Sequence, residues 1–289
     1  MRGDRVKKIG LVLCGGGAKG SYQVGVFRAL EELGLLDQVC AISGSSIGAI
    51  NGTLFVEHTP YEIEEIWKSS QWPLIFGVSK ENTQRLNQII HSVNSNKVPP
   101  MIGFMNLMRV ANTTGLPLKR DEFERSMRKY LNFSAIHHSD IELFVSCGRL
   151  NTKQQRHFKL NGQNPSSIKN ILLASTAVPV IFNPVYLEDG YYCDPMRYEN
   201  APLAPLMQLD CDTIIIVYLD RRQRLNLSSL KGKQIIEIVP SIDLGSGIYG
   251  SLDFRYHTID RYVDMGCDDA YRIIYNALRR NWEKHLKGS

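Results

Sequence analysis

The sequence predicts an α/β protein with a mainly parallel central sheet, and three observations carry that prediction. An apolar run, KKIGLVL, leads into the glycine-rich stretch CGGGAKG (14–20) and then an amphipathic stretch, SYQVGVFRALEELG. A second apolar run, VCAIS (39–43), enters GSSIGAINGTLFVEH, which begins as a tight turn and continues as a helix. Further apolar runs, including DTIIIVYLD (212–220) and QIIEIVP (234–240), have the length and composition of buried strands. Strand, helix, strand, helix in succession calls for crossover connections, which give parallel strands with helices on the sheet faces.

Taken in order, the first strand is expected at Ile9 to Cys14. A helix follows from about Ala18, with Val26, Leu30 and Leu33 at helical spacing and Gly34 as its stop signal. After the 39–43 strand and its helix, a further helix is expected near 61–70. Residues 92–118 differ from the rest, mixing Pro-Pro, Gly and Asn with Met101, Ile102, Phe104, Met105, Leu107 and Met108. A long insertion of this kind reads as a loop, cap or lid. Helices near 119–131, 166–175, 200–208 and 268–287 and strands at 141–150 and 155–160 complete the pattern. No stretch reads as a linker, so the chain is expected to form one domain over 1–289.

Composition narrows the class. Of 289 residues, 43% are apolar, enough to bury a substantial core. The net charge of +5 comes from 34 basic residues interspersed with 29 acidic ones. That is too weak a bias for nucleic-acid binding, and it is compatible with contact to an anionic membrane surface. The six cysteines, Cys14, Cys40, Cys147, Cys193, Cys211 and Cys267, include no Cys-x-x-Cys pair. They read as reduced thiols in a reducing, cytoplasmic compartment. No signal peptide or apolar run long enough to span a membrane is evident, and export without a cleaved signal would leave no trace. No His/Cys/Asp cluster has metal-ligand spacing, so neither a metal nor a cofactor is expected.

The glycine stretch admits two nucleotide readings. Gly15, Gly17 and Gly20 satisfy G-x-G-x-x-G, but the second strand ends in Ala41-Ile42-Ser43, without the acidic residue that would hold a ribose. A Walker loop needs Gly-Lys-Ser/Thr, whereas Lys19 here precedes Gly20 and Ser21. The next turn suggests a third reading. GSSIG (44–48) is a nucleophile-elbow pattern with Ser46 flanked by Gly44 and Gly48. The first two βα turns of a parallel sheet open at the same edge, which would set the backbone N–H groups of the glycine loop beside Ser46 as an oxyanion hole.

CGGGAKGSYQVGVFRALEELGL followed by ISGSSIGAINGTL resembles the patatin-like phospholipases, which carry a G-G-G-x-[KR]-G loop and a G-x-S-x-G elbow. LASTAVPVIFNPVYLEDG (173–190) is similar to the segment that precedes that family's Asp-Gly-[Gly/Ala] motif, and NAPLAPLMQLDCDTIIIVYL (200–219) to the run that closes its domain. The resemblance covers most of residues 8–220 and implies a three-layer α/β/α fold. It implies a serine acyl-ester hydrolase with a Ser–Asp dyad: Ser46 as nucleophile, Asp189 as base, Gly15, Gly16 and Gly17 around the oxyanion, and Gly20, Gly44, Gly48 and Gly190 as motif glycines. Two features depart from the pattern: Tyr191 stands where the family has Gly or Ala, and the stretch from Asp189 to NAPL is several residues longer than usual.

A Ser–His–Asp triad of Ser46, Asp189 and His257 is the alternative base arrangement, while Glu188, Asp194 and Asp210 read as turn or surface acids. The resemblance implies phospholipids, lysophospholipids or other lipid esters as substrate; the apolar 101–108 segment, read as a lid or membrane-dipping loop, and the amphipathic last helix would supply peripheral membrane contact. A second functional alternative is a lipolytic effector silent until an unknown activator orders its site.

Overall fold

A computed structural model describes residues 8–69, 120–150, 152, 154–179, 182–197, 200–228, 232–245, 251 and 253–287. The segment expected as a cap or lid, 92–118, lies outside the described residues. Eight strands form one sheet: β1 (Ile9–Leu13), β2 (Val39–Ser45), β3 (Glu142–Arg149), β4 (Gln155–Lys159), β5 (Val185–Leu187), β6 (Gly190–Cys193), β7 (Thr213–Val217) and β8 (Gln234–Ile238). Their order is β5-β6-β3-β2-β1-β7-β8, with β4 beside β3. The five strands from β3 to β8 in this order run parallel, while β4 and the β5–β6 hairpin add antiparallel pairings. β1 and β7 are buried at every position, as a strand covered on both faces must be.

The described helices are α1 (Ser21–Glu32), α2 (Ile47–Glu57), α3 (Pro60–Lys68), α4 (Arg120–Tyr130), α5 (Phe133–His138), α6 (Pro165–Ser175), α7 (Ala204–Met207) and α8 (Tyr256–Lys287). α2 and α6 cover the sheet face that carries Ile42, Gly44 and Cys147: a Cβ on Gly52 would meet Ile42, and the Cys147 thiol donates to the Ile171 carbonyl. On the opposite face, Gly10 leaves room for Leu206 of α7 and for Cys211. The sheet is thus sandwiched between helical layers. All six cysteines lie among the described residues and none is in a disulfide.

Two expected elements changed. α7 is one short turn instead of 200–208: Pro202 disfavours helix for the residue before it, and Pro205 stands in the first turn, where its missing N–H is tolerated, so Asn200 lies in an irregular strand-to-helix connection. α8 begins at Tyr256 instead of 268. Its early turns bury Ile259, Tyr262, Val263 and Ala270 against the core, and its polar residues there, Asp260 and Asp264, pair with Lys68 and Arg28. The β5–β6 hairpin was not foreseen, and it decides the site.

One detail of register positions the functional residues. Gly148 of β3 pairs with Gln155 of β4 and with Cys193 of β6, so these two strands lie on opposite sides of β3. Ser146 pairs with His157 of β4 and Ser45 of β2, which puts β6 on the β2 side. β6 therefore takes up pairing with β3 where β2 has just turned away, and the residue after Cys193 arrives beyond the end of β2.

Candidate active site

Ser46 stands between β2 and α2 with φ 52, the one non-glycine residue with positive φ among the described residues. Such a conformation costs about 1–3 kcal/mol and persists only where its surroundings enforce it. Its neighbours show the enforcement. A Cβ on Gly44 would lie 2.5 Å from the Gly48 carbonyl oxygen, and one on Gly48 would collide with the Leu13 carbonyl. The sharp turn thus needs both flanking glycines. Buried Ser175 accepts a 2.9 Å hydrogen bond at Oγ from the Ser46 N–H. The Ser46 side chain is largely buried, at 8% exposure, at the N-terminus of α2.

The Ser46 hydroxyl lies close enough to the Asp194 carboxylate to stabilise its anion. Asp194 directly follows β6 and is 3% exposed. Its N–H donates to the Ala177 carbonyl, and one carboxylate oxygen accepts from the Met196 N–H at 2.9 Å. Burial pushes its pKa up to about 6; the nearby Ser46 hydroxyl and the Met196 N–H oppose that rise without cancelling it. A carboxylate beside a hydroxyl, dry and poised near neutral pH, has the placement and basicity of a general base.

Asp189 is elsewhere, and the expectation that it stands beside Ser46 is corrected. It occupies the turn between β5 and β6, with its side chain 42% exposed. Its carboxylate accepts hydrogen bonds from Tyr192 Oη at 2.8 Å and Arg156 Nη1 at 3.0 Å, and Arg149 lies 3.4 Å away. The Tyr192 hydroxyl, followed by the two guanidiniums, holds it below the usual carboxylate range. A carboxylate so stabilised as an anion is a poor proton acceptor. At Gly190 a Cβ would find only ordinary contact, 3.4 Å from Arg149. His257 lies exposed in the first turn of α8, and among the described residues it makes no hydrogen bond to Ser46 or Asp189. The triad of Ser46, Asp189 and His257 is not assembled.

The glycine loop does lie against the elbow. A Cβ on Gly15 would come within 3.2 Å of Ser46 Cβ, and one on Gly20 within 2.5 Å of Ile47 in α2. Within the loop, however, Gly15 is already engaged: its N–H donates to Asn200 Oδ1 at 2.9 Å, and its carbonyl accepts from Asn200 Nδ2 at 2.9 Å. The same amide also reaches Gln223 Oε1 at 3.1 Å. Asn200 therefore clamps the Gly15 peptide on both edges and removes its N–H from the expected oxyanion hole. Among the described residues, no such clamp holds Gly16 or Gly17. Gly17 has φ 59, and a Cβ there would strike the Ser251 carbonyl, so that position is closed to other residues.

Asp194, Asn200 and Ser175 escaped the sequence reading. The signal for Asp194 was the surplus length between Asp189 and NAPL, since a base five residues further on shortens that stretch. No group of three or more His, Cys, Asp or Glu able to hold a metal occurs among the described residues.

A family model described as Patatin-like phospholipase matches residues 11–207. Lysophospholipase NTE1 of Phaeosphaeria nodorum is 27% identical over 212 residues, covering 73% of this chain and 12% of that protein. Patatin-like phospholipase domain-containing protein 7 of Mus musculus is 50% identical over 64 residues, 22% of this chain and 4% of that one. The chain thus spans only a small part of the curated relatives it matches. Among solved structures, human GIVD cytosolic phospholipase A2 aligns with TM-score 0.51 at 11% identity, over 96% of this chain and 61% of that one. VipD from Legionella pneumophila aligns with TM-score 0.50 at 14% identity, over 94% and 67%. At such identities the likeness is one of fold.

Proposed function

Because the chain belongs to the patatin-like phospholipase family, we propose that it is a lipid acyl-ester hydrolase in which Ser46 attacks the ester and Asp194, not Asp189, serves as base. The observation that carries this reading is the strained, buried Ser46 placed beside the buried Asp194 carboxylate, close enough for its hydroxyl to stabilise the anion. In the acylation step, Asp194 takes the hydroxyl proton as Ser46 Oγ bonds to the carbonyl carbon. The tetrahedral oxyanion is held by the N–H groups of Gly16 and Gly17, with the α2 N-terminus adding its partial positive charge. Collapse expels the alkoxide, which leaves with the proton from Asp194. Water then attacks the acyl-enzyme, gives its proton to Asp194, and releases the fatty acid as Ser46 recovers a proton.

Curated relatives named lysophospholipases point to single-chain phospholipids as the first substrates to test. Contact with the lipid surface is read as peripheral; none of the described helices is long and apolar enough to cross a membrane. The test is hydrolysis of lysophosphatidylcholine by wild type, Ser46→Ala, Asp194→Asn and Asp189→Asn. Asp194→Asn should lose about 10²–10⁴-fold in kcat, the scale of a lost general base. Asp189→Asn should stay within about fivefold, because an exposed ion-paired carboxylate contributes little. An inactive Asp189→Asn enzyme beside an active Asp194→Asn enzyme would reverse the assignment.

A further inference from the structure

The hydroxyl of Ser175 sits at the point where the sheet gives way to the elbow. Ser175 is the last residue of α6 and is fully buried. Its Oγ accepts from the Ser46 N–H at 2.9 Å and donates to the Ser146 carbonyl at 2.7 Å. Ser146 is the β3 residue directly opposite Ser45, the last residue of β2. In that register, a parallel ladder running one residue further could join the Ser46 N–H to the Ser146 carbonyl directly. Instead, the Ser175 hydroxyl stands between them and bonds to both. It keeps two buried backbone groups satisfied while holding β2 off β3 at the residue where the chain must turn.

We propose that Ser175 is a positioning residue for the nucleophile: by bridging the next rung of the ladder, it keeps Ser46 in its strained backbone conformation beside Asp194. This inference rests on Ser46 being the nucleophile. Two structural facts follow from the bridge. The Ser46 N–H is committed to Ser175, which leaves Gly16 and Gly17 to meet the oxyanion. Ser175 also lies two residues before Ala177, whose carbonyl accepts from the Asp194 N–H at 2.9 Å. The end of α6 therefore fixes the backbones of nucleophile and base together. Without the hydroxyl, the Ser46 N–H and Ser146 carbonyl lose their shared partner, and the elbow gains freedom to relax toward ordinary φ. Misplacing a reacting atom by about 1 Å costs on the order of 100-fold in rate.

The experiment compares wild type, Ser175→Ala, Ser175→Cys and Ser175→Thr with Thr176→Val. Thr176 is the neighbouring buried residue, whose hydroxyl bonds back to Leu172 and does not touch the site. The readouts are the second-order rate of labelling by a fluorophosphonate probe, kcat and KM on p-nitrophenyl butyrate, and the thermal midpoint. Ser175→Ala should label about 100-fold more slowly, with kcat falling in parallel and KM within about twofold. Thr176→Val should lower the midpoint without slowing labelling. Ser175→Thr, which keeps the hydroxyl, should label faster than Ser175→Cys, whose thiol is a weak donor. Folded Ser175→Ala that labels like wild type would overturn the inference, as would Thr176→Val slowed to the same degree. If Ser175→Ala does not fold, the Thr–Cys pair decides: equal labelling rates there overturn it. Failure of the underlying reading is distinct, because wild type and Ser46→Ala would then label alike.

Discussion

Asp194 and Asp189 lie five residues apart and show how environment assigns chemistry to identical side chains. Asp189 is exposed and bound by Tyr192 and two arginines, which favour its anion. Asp194 is buried with a hydroxyl and an N–H as partners, which leaves its anion under-stabilised. The pH dependence of catalysis follows. The base must be deprotonated, so kcat/KM should rise with pH through about 6 and level off above it, following the Asp194 carboxyl. A limb centred near 4, measured on a soluble ester, would contradict a buried base. An imidazole would give a limb in the same range, since its ordinary pKa is about 6.5. The two are separated by substitution: His257→Ala should retain activity, because that ring lies on the surface.

At the scale of elements, the site depends on backbones that approach closely. α1, which follows the glycine loop, crosses α8 at Gly25 and Gly266. A Cβ on Gly25 would collide with the Val263 carbonyl, and one on Gly266 with the Tyr22 carbonyl. The absent side chains let the two helices meet backbone to backbone, and neither obstacle is a side chain able to swing aside. Gly266→Ala should therefore destabilise by about 2–3 kcal/mol, in the range of core overpacking. Asn276→Ala, on the exposed side of α8, should stay within about 0.5 kcal/mol. Urea denaturation of both variants checks the contrast. Equal midpoints would mean that the α1–α8 crossing yields freely.

For the whole molecule, the buried carboxylate proposed as base sets catalysis against stability. The folded protein raises the Asp194 pKa from 3.8 to about 6, so folding favours the protonated carboxyl. Relative to a group that does not titrate, its contribution is most favourable below pH 4 and is lost as pH rises through 6. Above pH 6 the buried anion costs the fold up to about 3 kcal/mol. Asp194→Asn should consequently raise the thermal midpoint relative to wild type at pH 8, with the gain shrinking or reversing at pH 4. Differential scanning calorimetry at both values tests this, and a pH-independent difference would show that Asp194 carries no such penalty. Gains in stability from removing a site residue are the usual mark of a site held under strain.

The parallel sheet, the two βα turns and Ser46 were legible in the sequence because each rests on local chemistry. Apolar runs of strand length, glycines at a turn and a serine between them are readable within a dozen residues. Asp194 was not legible in that way. Asp189-Gly190 has the composition of the expected motif, yet it is also the composition of a hairpin turn, and the hairpin is what it forms. Which carboxylate meets Ser46 depends on β6 pairing with β3 beyond the end of β2, a contact between segments more than forty residues apart. Asn200 and Ser175 were hidden for the same reason, since their partners, Gly15 and Ser46, lie 185 and 129 residues away. Local sequence determined where the chain turns and which serine it presents. Register between distant strands decided which carboxylate, amide and hydroxyl stand beside it.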